Sequence, residues 1–173
     1  KHVTLELGGN AAAVVLADWN SPADLEWAAS RIATFANYQA GQSCISVQRV
    51  IVDRSVSDRF QSKLVEKIGQ LNTGDPNDEA TDVGPVIDLD AKRKVEQYIA
   101  IGSEEGRLEI SLPIPQGLED EVGLPYASPT VISGIEPHHR LANEEVFGPL
   151  LAVMKVKDFD AALELANSTR YKL

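Results

Sequence analysis

The stretch AAAVVLA, residues 11–17, decides the architecture. It is a continuous apolar run of strand length without polar alternation, the pattern of a strand buried on both faces of a parallel sheet. The downstream residues agree. After DWNSP, Ser21 is placed to cap a helix and Pro22 to occupy its first position. Leu25, Ala28, Ala29, Ile32, Phe35 and Ala36 then recur at helical spacing as one buried stripe. SVQRVIV (46–52) has the β-branched content of a strand, and Val56, Phe60, Leu64 and Ile68 mark a second amphipathic helix closed by Gly69. A turn-rich connection over 71–85 leads to a third helix, AKRKVEQYIAIG (91–102), predicted to end at Gly102. RLEISL (107–112), SPTVIS (128–133) and LLAVMKV (150–156) are further strands. A last helix over 158–167 carries Phe159, Ala162, Leu163 and Ala166 on one face. Strands alternating with helices over short connections predict an α/β domain around a mostly parallel sheet.

Composition narrows the function. A chain of 173 residues is about the size of one ordinary domain. Its 16 Lys and Arg against 26 Asp and Glu give a net charge of −10, without a basic stripe, so nucleic acid and anionic membrane are poor partners. No apolar run reaches the roughly 20 residues of a membrane-spanning helix. One cysteine permits no internal disulfide, and a reduced thiol makes the cytoplasm the default location. Residue 1 is Lys, and KHVTLELGG opens in an apolar, strand-like stretch without a preceding turn. These features point to a piece of a longer protein, so a targeting segment upstream is not observable.

Phosphate-cradling patterns are missing. Gly8 and Gly9 lack the spacing of a dinucleotide fingerprint, and no glycine-rich loop ends in Gly-Lys-Ser/Thr. His138 and His139 follow Pro137 on a loop, where solvation is the simplest reading, and a single cysteine without His-x-x-x-His argues against a metal site. That leaves Cys44, at the end of YQAGQSC (38–44). A lone cysteine is commonly a small buried hydrophobe. Here, however, it follows Gly41 in a polar link between helix and strand, where a side chain can face a cleft and a thiolate can be stabilised by backbone N–H groups. No histidine recommends itself as the partner a Cys–His hydrolase needs.

VTLELGGNAAAVVL at the start, AGQSCISVQRVIV in the middle and NEEVFGPLLAVMKV near the end resemble, in order, three signatures of the catalytic domain of the NAD(P)-dependent aldehyde dehydrogenase superfamily. The resemblance runs over essentially the whole chain. It implies a three-layer domain with a Rossmann-like, mostly parallel sheet flanked by helices, here over residues 1–173. It further implies that the cofactor domain and the oligomerisation extension lie outside this chain, and that the full-length protein is a homo-oligomer. By the same resemblance Cys44 is the nucleophile and Glu6 the general base, Glu145 holds the nicotinamide ribose of NAD or NADP, and Phe147 packs near the nicotinamide. Gly148 and Pro149 form the turn that fixes the last two.

The physical case stands beside this. An aldehyde does not readily lose hydride, but thiolate attack by Cys44 gives a thiohemiacetal whose alkoxide can expel hydride to NAD(P)+, leaving a thioester. Release of a carboxylic acid needs water activated by a base, a task for the Glu6 carboxylate. Family members that pass the acyl group to coenzyme A typically lack this base, so Glu6 favours hydrolysis. Other roles stay open: Glu6 as a solvated strand-end acid, Glu145 as half of an acidic pair with Glu144, Phe147 as core. Gln42 is read as satisfying backbone groups around the nucleophile loop.

Departures from the family also count. DWNSPADLE (18–26) makes the Glu6 to Cys44 spacing a few residues longer than is common in the family, which a surface connection tolerates. Lys172 stands where the family usually has the glycine of Tyr-Gly-Leu, a strain if that turn needs positive φ. The asparagine of the family's oxyanion hole, and the lysine and glycine loop that hold the cofactor, lie in the part before this chain, leaving only the Cys44 N–H here. The expectation is therefore oxidation of a small-molecule aldehyde, with the isolated chain nearly inactive as a dehydrogenase. The alternatives are a non-catalytic α/β module and a thiol-dependent esterase.

Overall fold

The computed structural model describes residues 1–171, so Lys172 and its turn lie outside the described residues. Five strands form one sheet: β1 (Ala11–Val15), β2 (Val47–Asp53), β3 (Arg107–Ser111), β4 (Thr130–Ser133) and β5 (Leu150–Val156). Their order is β1-β2-β5-β4-β3, with every pair parallel except β3 against β4. The helices are α1 (Pro22–Asn37), α2 (Ser57–Gly69), α3 (Leu89–Glu105), α4 (Leu118–Val122), α5 (Arg140–Asn143) and α6 (Phe159–Asn167). The predicted mostly parallel sheet flanked by helices is borne out.

Alternation along the central strands sorts the core into two faces. Val50 and Val52 of β2 with Leu151 and Val153 of β5 meet α1 and α2, whose Ala29, Ile32, Phe60 and Leu64 fill that side. Ile51, Ala152 and Met154 point the other way, towards Val95 and Tyr98 of α3, Leu141 of α5 and Leu165 of α6. Three layers result, each burying the apolar stripe its neighbour presents.

Local chemistry explains the helix boundaries. Ser21 Oγ accepts the Asp24 N–H at 3.1 Å with Pro22 at the first position of α1, as predicted. Asp88 and Asp158 cap α3 and α6 in the same manner.

Four details differ from expectation. AAAVVLA is an edge strand rather than a strand buried on both faces, and Val14 is 42% exposed. Phe35 does not join the buried stripe of α1; it lies out under the Arg31 guanidinium, 4.6 Å from the ring centroid. On α6 the buried residues are Ala162 and Leu165, while Phe159 and Leu163 face out. Gly102 does not end α3. It lies inside the helix, where a Cβ would come within 2.6 Å of Ile132 Cδ1 and 2.7 Å of Leu141 Cδ2, and the helix stops at Gly106. That glycine answers a close approach to the sheet.

The N-terminal stretch, residues 1–7, forms no strand, and Val3, Leu5 and Leu7 are exposed. Among the described residues, no helix is long and apolar enough to cross a membrane.

Candidate active site

Three of the strands begin beside one another. Because β1, β2 and β5 are adjacent and parallel, the segments that enter them meet at one end of the sheet. Glu6 precedes β1, Cys44 precedes β2, and Glu145 and Phe147 precede β5. Open α/β sheets commonly bind ligands at the carboxyl ends of their strands; this cleft lies at the amino ends. It has a volume of about 550 Å³ and is lined by Glu6, Gln42, Cys44, Lys94, Glu145 and Phe147, with Leu7, Gly8 and Ser43 between them. All four predicted site residues therefore border one space.

The turn that carries Cys44 is built by unusual backbone. Gln39, Ala40 and Gly41 have φ of 51°, 53° and 69°, three left-handed residues in succession at the end of α1. Such conformations cost about 1–2 kcal/mol for each non-glycine residue, so the surroundings must enforce them. At Gly41 a Cβ would overlap the Gly148 carbonyl, which explains the glycine twice over. Ser46 Oγ donates to the Gly41 carbonyl at 3.0 Å. Gln42 Nε2 donates to the Gln39 carbonyl at 3.0 Å, satisfying a backbone group of this turn as expected, and its Oε1 accepts the Ile87 N–H at 2.8 Å, which also ties the turn to the loop before α3. Cys44 sits at the tip, half-buried, a free thiol.

Gly8 and Gly9 admit the segment that carries Glu6 to the same end of the sheet. A Cβ on Gly9 would overlap the Cys44 carbonyl oxygen, and one on Gly8 would lie 2.7 Å from Glu145 Oε2. The Gly9 N–H donates to Glu145 Oε1 at 2.8 Å. Phe147 is held at φ 57° and is 38% exposed. Between them, Val146 is buried and donates its N–H to Gln48 Oε1 at 2.9 Å.

Behind Glu145 lies an ionic cluster. Arg140 donates from Nε and Nη2 to both Glu144 oxygens at 3.0 and 2.9 Å, and the Tyr98 hydroxyl donates to Glu144 as well. The Arg140 bonds, then that of Tyr98, hold the Glu144 carboxyl down to about 2. Burial, with the carboxylate beside it, pushes the Tyr98 hydroxyl up. A depressed carboxyl contributes stability that is complete above its unfolded value and is lost as pH falls through the folded one. Glu144→Gln should therefore lower the melting temperature at pH 7, with the difference narrowing from about pH 4.5 towards pH 2. A difference that stays constant across that range in thermal melts would dismiss the coupling.

Sequence reasoning missed two residues here. Lys94, the cation of the cleft lining, sits next to the buried Val95 of α3, and helical periodicity alone does not say that this part of the helix borders the same cleft as Cys44. Gln48 reads as a strand residue, and only the pairing of β2 with β5 brings it to the Val146 N–H. His138 is exposed and His139 Nδ1 accepts the Glu136 N–H at 3.0 Å. Among the described residues, no group of three or more His, Cys, Asp or Glu could hold a metal.

The Cys44 thiol, at the tip of a strained turn, and the Glu6 carboxylate, on the segment entering the neighbouring strand, thus share one cleft of an α/β domain. A model described as the aldehyde dehydrogenase family matches residues 1–173, and the chain belongs to that family. It is 43% identical over 173 residues to a 1-pyrroline-5-carboxylate dehydrogenase of Geobacillus kaustophilus, covering all of this chain and 32% of that protein. It is 41% identical over 174 residues to a vanillin dehydrogenase of Corynebacterium glutamicum, covering all of this chain and 34% of the relative. Among solved structures, a 1-pyrroline-5-carboxylate dehydrogenase from Thermus with bound NAD superposes with a TM-score of 0.83 at 33% identity, over 96% of this chain and 30% of that one. The chain spans about a third of the length of the curated relatives it matches.

Proposed function

We propose that this chain is the nucleophile-bearing part of an enzyme that oxidises an aldehyde to a carboxylic acid with NAD or NADP. Support comes above all from the shared cleft of Cys44, Glu6, Glu145 and Phe147 at the amino ends of three parallel strands. The Cys44 thiolate attacks the aldehyde carbonyl carbon, forming a C–S bond and an alkoxide. A bound nicotinamide would supply the hydride acceptor, the two-electron oxidant that reaching the thioester level on Cys44 requires. Glu6 then takes a proton from water, the hydroxide adds to the thioester carbonyl, and the C–S bond breaks to return the thiolate and release the acid.

The residues present fit the nicotinamide riboside end of such a cofactor. Glu145 offers acceptor-only oxygens for sugar hydroxyls, and Phe147 offers a partly exposed aromatic face to a flat ring. The rest of the cofactor contacts are assigned to a domain beyond this chain, as is oligomerisation. Relatives at 43% and 41% identity are named for 1-pyrroline-5-carboxylate and for vanillin, so the substrate proposed is an aldehyde without further restriction.

The test is intact-mass analysis of this chain with p-nitrophenyl acetate. One acetyl group is expected on Cys44, none on Cys44→Ala, and slower release from Glu6→Gln. The same preparation should show neither saturable NAD(P)+ binding nor aldehyde-dependent reduction. Acetylation indifferent to Cys44 would refute the assignment of the nucleophile.

A further inference from the structure

The Glu145 carboxylate has a bond that cofactor binding does not require. Its Oε1 accepts the Gly9 N–H at 2.8 Å, and its Oε2 lies against Gly8, within 2.7 Å of where a Cβ would stand. Gly9 is three residues from Glu6. Residues 1–8 are exposed, and among the described residues the first hydrogen bond met along the chain from its first residue is this one. Asn10 is anchored separately: its Nδ2 donates to the Ala142 carbonyl at 3.1 Å and its own carbonyl accepts from Arg49. Those bonds fix where β1 starts. The Glu145 carboxylate lies along Gly8 and Gly9, where the chain joins Leu7 and Glu6 to the body of the domain.

We infer that Glu145 is a positioning residue for deacylation, orienting the segment that carries Glu6 through the Gly9 N–H whether or not a cofactor is present. The inference rests on the reading of Cys44 and Glu6 as nucleophile and base. Its physical basis is that a charge-assisted hydrogen bond fixes a peptide plane more firmly than a contact can. A general base must also be held within hydrogen-bond reach of its water to act. Since the Gly9 N–H occupies Oε1, one carboxylate serves both halves of the reaction: its Oε2 remains for a sugar hydroxyl while Oε1 holds the base segment.

The experiment needs no cofactor. The chain is acetylated with p-nitrophenyl acetate, excess reagent is removed, and loss of the acetyl group from Cys44 is followed by intact mass. Glu145→Ala should release acetyl from Cys44 about tenfold more slowly than the unaltered chain, approaching Glu6→Gln. Glu145→Gln keeps an oxygen that can accept the Gly9 N–H and should recover most of the release rate. If Glu145→Ala does not fold, Glu145→Asp, one methylene short of the N–H but still charged, is expected to show the slow release. Release that depends on Glu6 but is equal in all Glu145 variants would overturn the inference while leaving the proposed chemistry intact. So would slow release in Glu145→Gln matching that of Glu145→Asp. If the unaltered chain captures no acetyl on Cys44, the proposed function itself fails, and the positioning role falls with it.

Discussion

Gly9→Ala should slow acetyl capture at Cys44 by about 100-fold, on the scale of what a displacement near 1 Å costs a reacting group. The added methyl would overlap the Cys44 carbonyl oxygen, and the Cys44 carbonyl carbon would be 3.1 Å away. Both are backbone atoms, so no rotamer change relieves the clash. Gly9 is held by its bond to Glu145 and β1 begins two residues further on, so the Cys44 turn is the part that moves. Overpacking of this kind costs about 1–3 kcal/mol, so melting should fall by only several degrees while capture nearly disappears. Gly117→Ala is the control. Gly117 has φ 84° with nothing within 4 Å of a Cβ, so the variant carries only the left-handed penalty and should acetylate normally. Normal capture in Gly9→Ala would mean that the two strand entries are not packed as described.

Arg49→Leu should be the most destabilising single change in the sheet, by about 3 kcal/mol, or roughly 10 °C in melting temperature. Arg49 is 1% exposed on β2, and burial pulls its pKa down. Its Nε donates to the Asn10 carbonyl at 3.0 Å; Nη1 and Nη2 donate to the carbonyls of Leu165 and Ala166, each at 3.2 Å. The last two belong to the final turn of α6, at the negative end of its dipole, where the Leu165 carbonyl also accepts from the Ser168 N–H at 3.2 Å and the Ser168 hydroxyl at 2.8 Å. One guanidinium therefore joins the start of β1, the middle of β2 and the end of α6. Leucine would remove the guanidinium donors from three carbonyls, of which that of Leu165 keeps its bonds from Ser168, whereas Arg49→Lys retains the charge and should lose less. Calorimetry on both variants checks the ranking, and equal losses would show that volume, not hydrogen bonding, matters at this position.

Strand and helix types were legible because periodicity is a local property. All five strands and four longer helices fall where apolar runs, N-caps and turn residues put them. The short helices α4 and α5 were not read, since one turn leaves no period to detect. Errors concerned which side faces what. Ala11–Val15 looks like a central strand but lies at the edge, and Gly102 looks like a terminator but is a contact. Both depend on neighbours distant in sequence.

The site divides along the same line. Cys44, Glu6, Glu145 and Phe147 could be singled out from the sequence because each stands in a motif that resembles a known family, and Ser21, Pro22 and Gly69 could be read from cap chemistry alone. The order β1-β2-β5-β4-β3 could not, because parallel strands are joined by crossovers whose ends say nothing about which strands become neighbours. Only that order brings residues 6, 44 and 145 to one cleft. It also places Gln48 against Val146, closes Glu145 on Gly9 and carries Arg49 to the end of α6. Sequence determined which elements form and which groups have the chemistry; tertiary pairing decided which of them meet, because a hydrogen bond across 136 residues is set by the packing of the whole sheet.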